Sequence, residues 1–266
     1  MDPNDHKTIE RMVAAFEQVA DVIREQNPDC IIAPMMGAVP FIDILNIIDP
    51  DFPNDKVEYV PASSKLYRMR DVLRSAFGNL IEAYAPDQGL FLSLDEVVSG
   101  NSLVRVYKQF ETARNEYAMK KTRTVFGEDT DFRKDGTKAF YQELCASIKY
   151  KSIGVVDPKL QRQGKIQNKE YQEIVERGIV IPVETQGIVT MDRTDFFPAQ
   201  YKKEQDDTGA YFTLPVVESF QVSADYLTFL RTVAGIVGKN PDEVTVHNMG
   251  KIINSHQLVP EELRTL

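Results

Sequence analysis

Two adjacent carboxylates are followed, within a few residues, by a run of small polar residues. Asp95 and Glu96 come directly after the apolar residues 90–94. Carboxylates accept hydrogen bonds from sugar hydroxyls. Small residues let backbone N–H groups approach an anion, and a helix start adds N–H donors with the positive end of its dipole. The donors for a phosphate would come from Val98, Ser99, Gly100, Asn101 and Ser102. Residues 94–102 therefore contain the two parts needed to bind a sugar phosphate.

The same residues also permit a purely structural interpretation. Asn101 or Ser102 could cap the helix that follows, and both acids could simply be hydrated. For an isolated loop of this length we would favour that interpretation. The apolar strand before the acids, and its place in a series of strand-turn-helix units, favour the ligand site instead.

Strand and helix signals alternate along the first part of the chain. Apolar or alternating runs predict strands, and spacings of three and four between apolar residues predict helices. The predicted strands are residues 30–33, 57–60, 90–94 and 152–156, and the predicted helices are 9–23, 39–48, 71–84 and 103–117. This order predicts an α/β fold with a mainly parallel sheet and helices on both faces. Ligands bind beyond the carboxyl ends of such strands, where the turn at 34–38 and the segment 95–102 both lie.

The remaining chain is assigned by composition. We expect a main domain over residues 1–220, with a charged surface insertion at 119–136 and a candidate hood over the site at 157–215. Apolar periodicity near the end of the chain predicts a small helical C-terminal appendage at 221–266.

The ordered set of motifs resembles the type I phosphoribosyltransferase family. Residues 90–103 look like its signature of apolar strand, acid pair, small-residue loop and helix. The resemblance implies that Asp95 and Glu96 hold the ribose hydroxyls of phosphoribosyl pyrophosphate and that the loop at 98–102 holds its 5′-phosphate. Residues 30–41 resemble the family's first strand and pyrophosphate loop, with Met36 and Gly37 at the turn. Residues 57–65 resemble its second strand and the start of its catalytic loop.

Departure of pyrophosphate in such a reaction needs positive charge nearby. Lys65, Arg68 and Arg70 follow the second predicted strand and are the candidates, although solvated loop cations are an equally good interpretation. The resemblance also implies Mg²⁺, which prefers substrate phosphates and water to a site built wholly of protein. The three histidines and two cysteines show no metal-ligand spacing, so we assign no protein metal site.

Composition excludes some classes of protein. The formal net charge of −9 makes broad nucleic-acid binding unfavourable, because that requires a positive field. No apolar run approaches the roughly 20 residues that span a bilayer, so no membrane partner is expected. The polar N-terminus is unlike a secretory signal, and the two cysteines lie far apart. We therefore expect a cytoplasmic protein with reduced thiols.

Three functions remain open on this evidence. The first is a transferase that moves the phosphoribosyl group of phosphoribosyl pyrophosphate to an unidentified acceptor. The second is an inactive module of the same fold that acts through a sugar-phosphate or nucleotide ligand, a protein partner or a homodimer. The short polar loop and the uncharged turn at Met36 and Gly37 favour this second function, whereas both carboxylates favour the first. The third is a different nucleotide-binding α/β protein that converged on this shape.

Overall fold

The structure is a computed structural model of the chain. It describes residues 6–35, 37–62, 70–164, 166–185, 199–205, 211–217, 221–246 and 248–258. The predicted site residues Met36, Lys65 and Arg68 lie outside the described residues.

In the described part of the chain, five parallel strands form one sheet in the order β2-β1-β3-β4-β5. These strands are β1 (Cys30–Pro34), β2 (Val57–Val60), β3 (Gly89–Val97), β4 (Ile148–Val156) and β5 (Val180–Glu184). The prediction of an α/β fold with a mainly parallel sheet is confirmed. The strand order reverses between β1 and β3, and in open parallel sheets ligands bind in the crevice at such a switch point.

Helices cover both faces of this sheet, which is why its central strands are apolar in nearly every position. One face packs against α1 (His6–Gln26), α2 (Val39–Ile48), α8 (Ala224–Ile236) and α9 (Met249–Gln257). The other face packs against α3 (Arg70–Tyr84), α4 (Asn101–Phe126), α5 (Asp135–Ser147) and α7 (Lys169–Glu176). The short helix α6 (Pro158–Arg162) follows β4. A separate antiparallel pair is formed by β6 (Ala199–Gln205) and β7 (Tyr211–Val217), and it overlaps the end of the segment 157–215 proposed as a hood.

The predicted insertion at 119–136 is wrong at its start. Helix α4 continues to Phe126, and the irregular stretch between α4 and α5 covers only residues 127–134. Lysine, arginine and methionine are good helix formers, so the polar composition of 119–126 did not mark a loop. The helix ends where Gly127 adopts a φ of +97°, in the region that favours glycine.

The C-terminal helices belong to the core rather than to a detached unit. Phe229, Leu230 and Val233 of α8 are buried in the same cluster as α1, α2 and the sheet. The hydroxyl of Tyr226 donates a 2.5 Å hydrogen bond to Oδ2 of Asp43, a buried carboxylate on α2. Lys251 of α9 donates from Nζ to the Val57 carbonyl of β2 at 2.6 Å. Packing and polar contacts therefore fix α8 and α9 against the rest of the core.

None of the helices in the described ranges combines the length and the low polarity that crossing a bilayer would demand.

The two thiols should differ sharply in reactivity. Cys30 is fully buried in β1, and burial raises the pKa of its thiol well above the ordinary value, whereas Cys145 on α5 is half-exposed. Because the thiolate is the reacting form, we expect a thiol reagent to modify Cys145 in the native protein and Cys30 only after unfolding. A colorimetric thiol count before and after adding denaturant measures this, and two reactive thiols in the native protein would contradict it.

Candidate functional site

The two acids lie inside strand β3 and not in a loop after it. Strand β3 runs to Val97, and Asp95 and Glu96 pair with Gly154 and Val155 of β4. Strand β3 stays paired with β4 up to Val97, the last residue of β3. The loop between β3 and α4 is therefore only residues 98–100. The loop predicted at 94–102 is therefore shorter than expected, although the acids do lie at the carboxyl end of the strand.

Alternation along β3 directs the two carboxylates to opposite faces of the sheet. Asp95 has the parity of Phe91 and Val97, which pack in the α3–α4 cluster. Glu96 has the parity of Leu94, which packs in the α1–α2 cluster. A ligand held by both acids would have to lie beyond the end of the strand, between the two faces.

Asp95 meets the turn that follows β1. A Cβ added at Gly37 would lie 3.6 Å from Asp95 Oδ1, at ordinary van der Waals distance, so the turn faces the carboxylate. The same Oδ1 accepts a 2.9 Å hydrogen bond from the Glu96 N–H, and Asp95 is only 9% exposed. The structure thus brings together the two predicted loops, at the point where the strand order reverses.

Gly100 begins helix α4 in a conformation and a space that suit glycine alone. Its φ is +80°, and an added Cβ would lie 2.4 Å from Cγ of the buried Tyr171 on α7. Gly100 is the capping residue, so the interpretation of Asn101 or Ser102 as the cap is wrong. Within this loop, Ser99 Oγ makes a long contact of 3.5 Å to the N–H of Asn101. First-turn amides have no carbonyl partner within their own helix, so they are suited to an anion.

Helix α7 holds the start of α4 through polar contacts. Asn168 Nδ2 donates to Asn101 Oδ1 at 2.5 Å, and Lys108 Nζ lies 2.6 Å from Glu170 Oε1. Asn168 also caps α7 by accepting from the N–H of Glu170. These contacts, together with Tyr171 against Gly100, fix the direction in which the first turn of α4 points. Ser102 is half-buried and Val98 is exposed in this arrangement.

Arg105 is a cation near this site that the sequence interpretation missed. It is half-buried one turn into α4, and burial lowers the pKa of its guanidinium, with a further decrease from the charge of Arg70. Arg70 is the exposed first residue of α3. The charges of Arg70 and Arg105 are therefore near enough to affect each other. Arg105 lies four residues after Asn101, so on a helix both fall on the same face. That spacing was the sequence signal that could have identified Arg105.

A buried hydrogen-bonded group lies on the same face of the sheet as Asp95. Ser93 Oγ is 2.6 Å from the Tyr150 hydroxyl and donates to Ser152 Oγ at 2.8 Å. Burial, in the main, raises the pKa of Tyr150 well above its ordinary value, and the negative charge of Asp95 adds to this. The group explains the polar residue inside β3 and holds β3 and β4 together beneath Asp95.

Within the described ranges, His, Cys, Asp and Glu side chains form no group of three or more that could hold a metal ion.

Comparisons of the chain with models of protein families, with curated proteins and with solved structures find no match.

Proposed function

We propose that this chain has a phosphoribosyltransferase-like fold, binds phosphoribosyl pyrophosphate with Mg²⁺, and transfers the phosphoribosyl group to an acceptor. The main support is that the turn at Gly37 faces Asp95 where the strand order reverses. That contact places the backbone of Gly37 beside a carboxylate, next to the start of a long helix. Both cysteines are free, which agrees with a reducing, cytoplasmic location.

Each part of the ligand has a proposed partner. The 5′-phosphate lies at the first turn of α4, with the hydroxyls of Ser99 and Ser102 as additional donors. Asp95 accepts from a ribose hydroxyl, and Glu96 reaches a second hydroxyl from the other side of the strand end. The backbone at Gly37 faces the pyrophosphate, and the neighbouring Met36, outside the described residues, is the other residue proposed there. The cations proposed to balance its charge are Arg70, Arg105, Lys65 and Arg68.

The proposed reaction is a displacement at the anomeric carbon. A nucleophile on the acceptor forms a bond to C1′ while the C1′–O bond to pyrophosphate breaks, and the bonding electrons leave with pyrophosphate. Positive charge develops on the ribose, and the carboxylate of Asp95 stabilises it electrostatically. Bound Mg²⁺ would neutralise charge on the leaving pyrophosphate. The oxygen donors of Asp95 and Glu96 suit this ion, although most of its ligands would be phosphate oxygens and water.

A pyrophosphate-release assay tests this function. The protein is incubated with phosphoribosyl pyrophosphate, Mg²⁺ and a panel of nitrogenous bases, while its thermal stability is followed with and without the ligand. Release that depends on one base supports the transferase. If neither release nor ligand-dependent stabilisation occurs, the proposed function is wrong.

Binding without transfer is the second candidate, and the constraints on the loop at 98–100 favour it. The loop of residues 98–100 is short, Tyr171 packs against Gly100, and Asn168 already occupies the amide oxygen of Asn101. A loop held in this way has little room to move during a reaction cycle. Ligand-dependent stabilisation with no pyrophosphate release from any base would support this candidate.

Asp95 should matter more than Glu96 for ligand binding. We expect Asp95→Asn to weaken binding of phosphoribosyl pyrophosphate about tenfold or more, because a charged acceptor is lost next to the Gly37 turn. Glu96→Gln should weaken this binding less, since the alternation along β3 directs Glu96 to the face of the sheet opposite Asp95. Titration calorimetry measures both variants. The exposed Asp129→Asn, far along the chain, is the control for the loss of one negative charge. Equal affinities for Asp95→Asn and this control would contradict the assignment.

A further inference from the structure

A half-open cavity of about 460 Å³ lies beside the proposed site, between helices α6 and α7 and the carboxyl ends of β4 and β5. Its volume is in the range of small-molecule sites. Its lining includes Val156, Gln161, Tyr171, Gln172, Glu176 and Glu184. The sheet forms its floor, because Glu184 at the end of β5 pairs with Val156 at the end of β4.

The lining combines apolar walls with acceptors of hydrogen bonds. Tyr171 and Val156 are buried side chains that present apolar surface. Glu176 and Glu184 are exposed carboxylates, Gln161 and Gln172 are exposed amides, and none of the lining residues in the described part of the chain is cationic. A ring would fit the apolar part, and a positively charged or amino nitrogen would fit the acceptors. An anionic ligand would be repelled.

Tyr171 connects this cavity to the start of α4. One part of its side chain lines the cavity, and its Cβ and Cγ pack against Gly100. Helix α7, which carries four of the lining residues, also contacts Asn101 and Lys108 of α4. A ligand in the cavity would therefore contact Tyr171, the residue that packs against Gly100 in the loop 98–100.

We propose that this cavity is a second ligand site, specific for a compact ring compound that carries a protonated or amino nitrogen. Glu176 and Glu184 bind the nitrogen, and Tyr171 and Val156 contact the ring. The site stands without the proposed function. Only its coupling to a sugar phosphate, through Tyr171 and Gly100, rests on that function.

Benzamidine and benzoate are matched probes for this site, because they share a ring and differ in the sign of charge. We expect benzamidine to shift the amide NMR signals of α7 and β5 in a saturable way, and benzoate to leave them unchanged. Equal responses to both probes, or no saturable response to benzamidine, would overturn the proposal.

Substitutions at the rim localise the binding. Glu184→Gln and Glu176→Gln should each weaken benzamidine binding about fivefold to tenfold, since each removes one charge-assisted contact. Glu173→Gln is the matched control, because Glu173 is an exposed acid on the same helix that does not line the cavity. These substitutions keep side-chain size at exposed positions, so folding should persist, and circular dichroism checks it. If Glu173→Gln weakens binding as much as Glu184→Gln, general charge attraction explains the result and the site is wrong.

A competition experiment separates this proposal from the proposed function. A base that displaces benzamidine and also causes pyrophosphate release identifies the cavity as the acceptor site. If Glu184→Gln weakens benzamidine binding and Glu173→Gln does not, the second site is supported even when phosphoribosyl pyrophosphate does not bind. In that case only the proposed function fails.

Discussion

Replacing Gly100 with alanine is expected to lower the free energy of unfolding by about 3 kcal/mol and to remove binding at the start of α4. Two costs add. A non-glycine residue at φ +80° costs on the order of 1 kcal/mol. The new Cβ would also lie 2.4 Å from Cγ of Tyr171, a buried ring atom. Overpacking of this kind costs about 1–3 kcal/mol more.

Gly178→Ala is the matched control for the backbone cost. Gly178 has a φ of +68°, and an added Cβ would meet nothing within 4 Å. We therefore expect it to lose only about 1 kcal/mol. Denaturant unfolding followed by circular dichroism measures both variants. Similar losses for the two glycines would show that Tyr171 does not pack against Gly100.

Removing the hydroxyl of Tyr226 is expected to destabilise the protein by about 2–3 kcal/mol. Tyr226→Phe keeps the ring but takes a 2.5 Å hydrogen bond from the buried carboxylate of Asp43. A buried charge that loses a donor is costly, because water cannot replace the lost bond. Tyr117→Phe is the control. The Tyr117 hydroxyl also donates one hydrogen bond, but to the exposed carbonyl of Pro86. Its loss should cost well under about 1 kcal/mol.

The same substitution has a pH signature. Burial first, and then the charge of Asp43, raise the pKa of Tyr226 well above 10. The unfolded tyrosine loses its proton near pH 10, whereas the folded one keeps it, so this stabilisation is complete below pH 10 and is lost as pH rises above it. The stability difference between wild type and Tyr226→Phe should therefore shrink by about 1.4 kcal/mol per pH unit above pH 10. A difference that stays constant from pH 8 to 11 would contradict the assignment.

The strands and helices that position the site could be predicted from the sequence, because their signals are local. The apolar periodicity of α1 predicted its buried face, and Ile9, Phe16 and Val19 are all buried. The runs that became β1 and β3 are apolar because both faces of the sheet are covered. Local signals fail where a boundary depends on a partner. Strand β3 continues through Asp95 and Glu96 because β4 pairs with it to the last residue.

The contacts that define the site could not be predicted, since they join residues far apart in sequence. Gly37 lies against Asp95 and Gly100 lies under Tyr171, and neither pair has a local signature. Arg105 was missed because one arginine on a long helix looks like a solvated residue. Asp43 was missed because its partner, Tyr226, is on a helix near the other end of the chain.

The most direct test of the central claim is a crystal structure of the protein grown with phosphoribosyl pyrophosphate and Mg²⁺. The account predicts density for the 5′-phosphate at the first turn of α4, with a ribose hydroxyl within hydrogen-bonding distance of Asp95 and the pyrophosphate next to Gly37. Density for the ligand elsewhere on the molecule, with the crevice between β1 and β3 holding only solvent at saturating ligand, would contradict it.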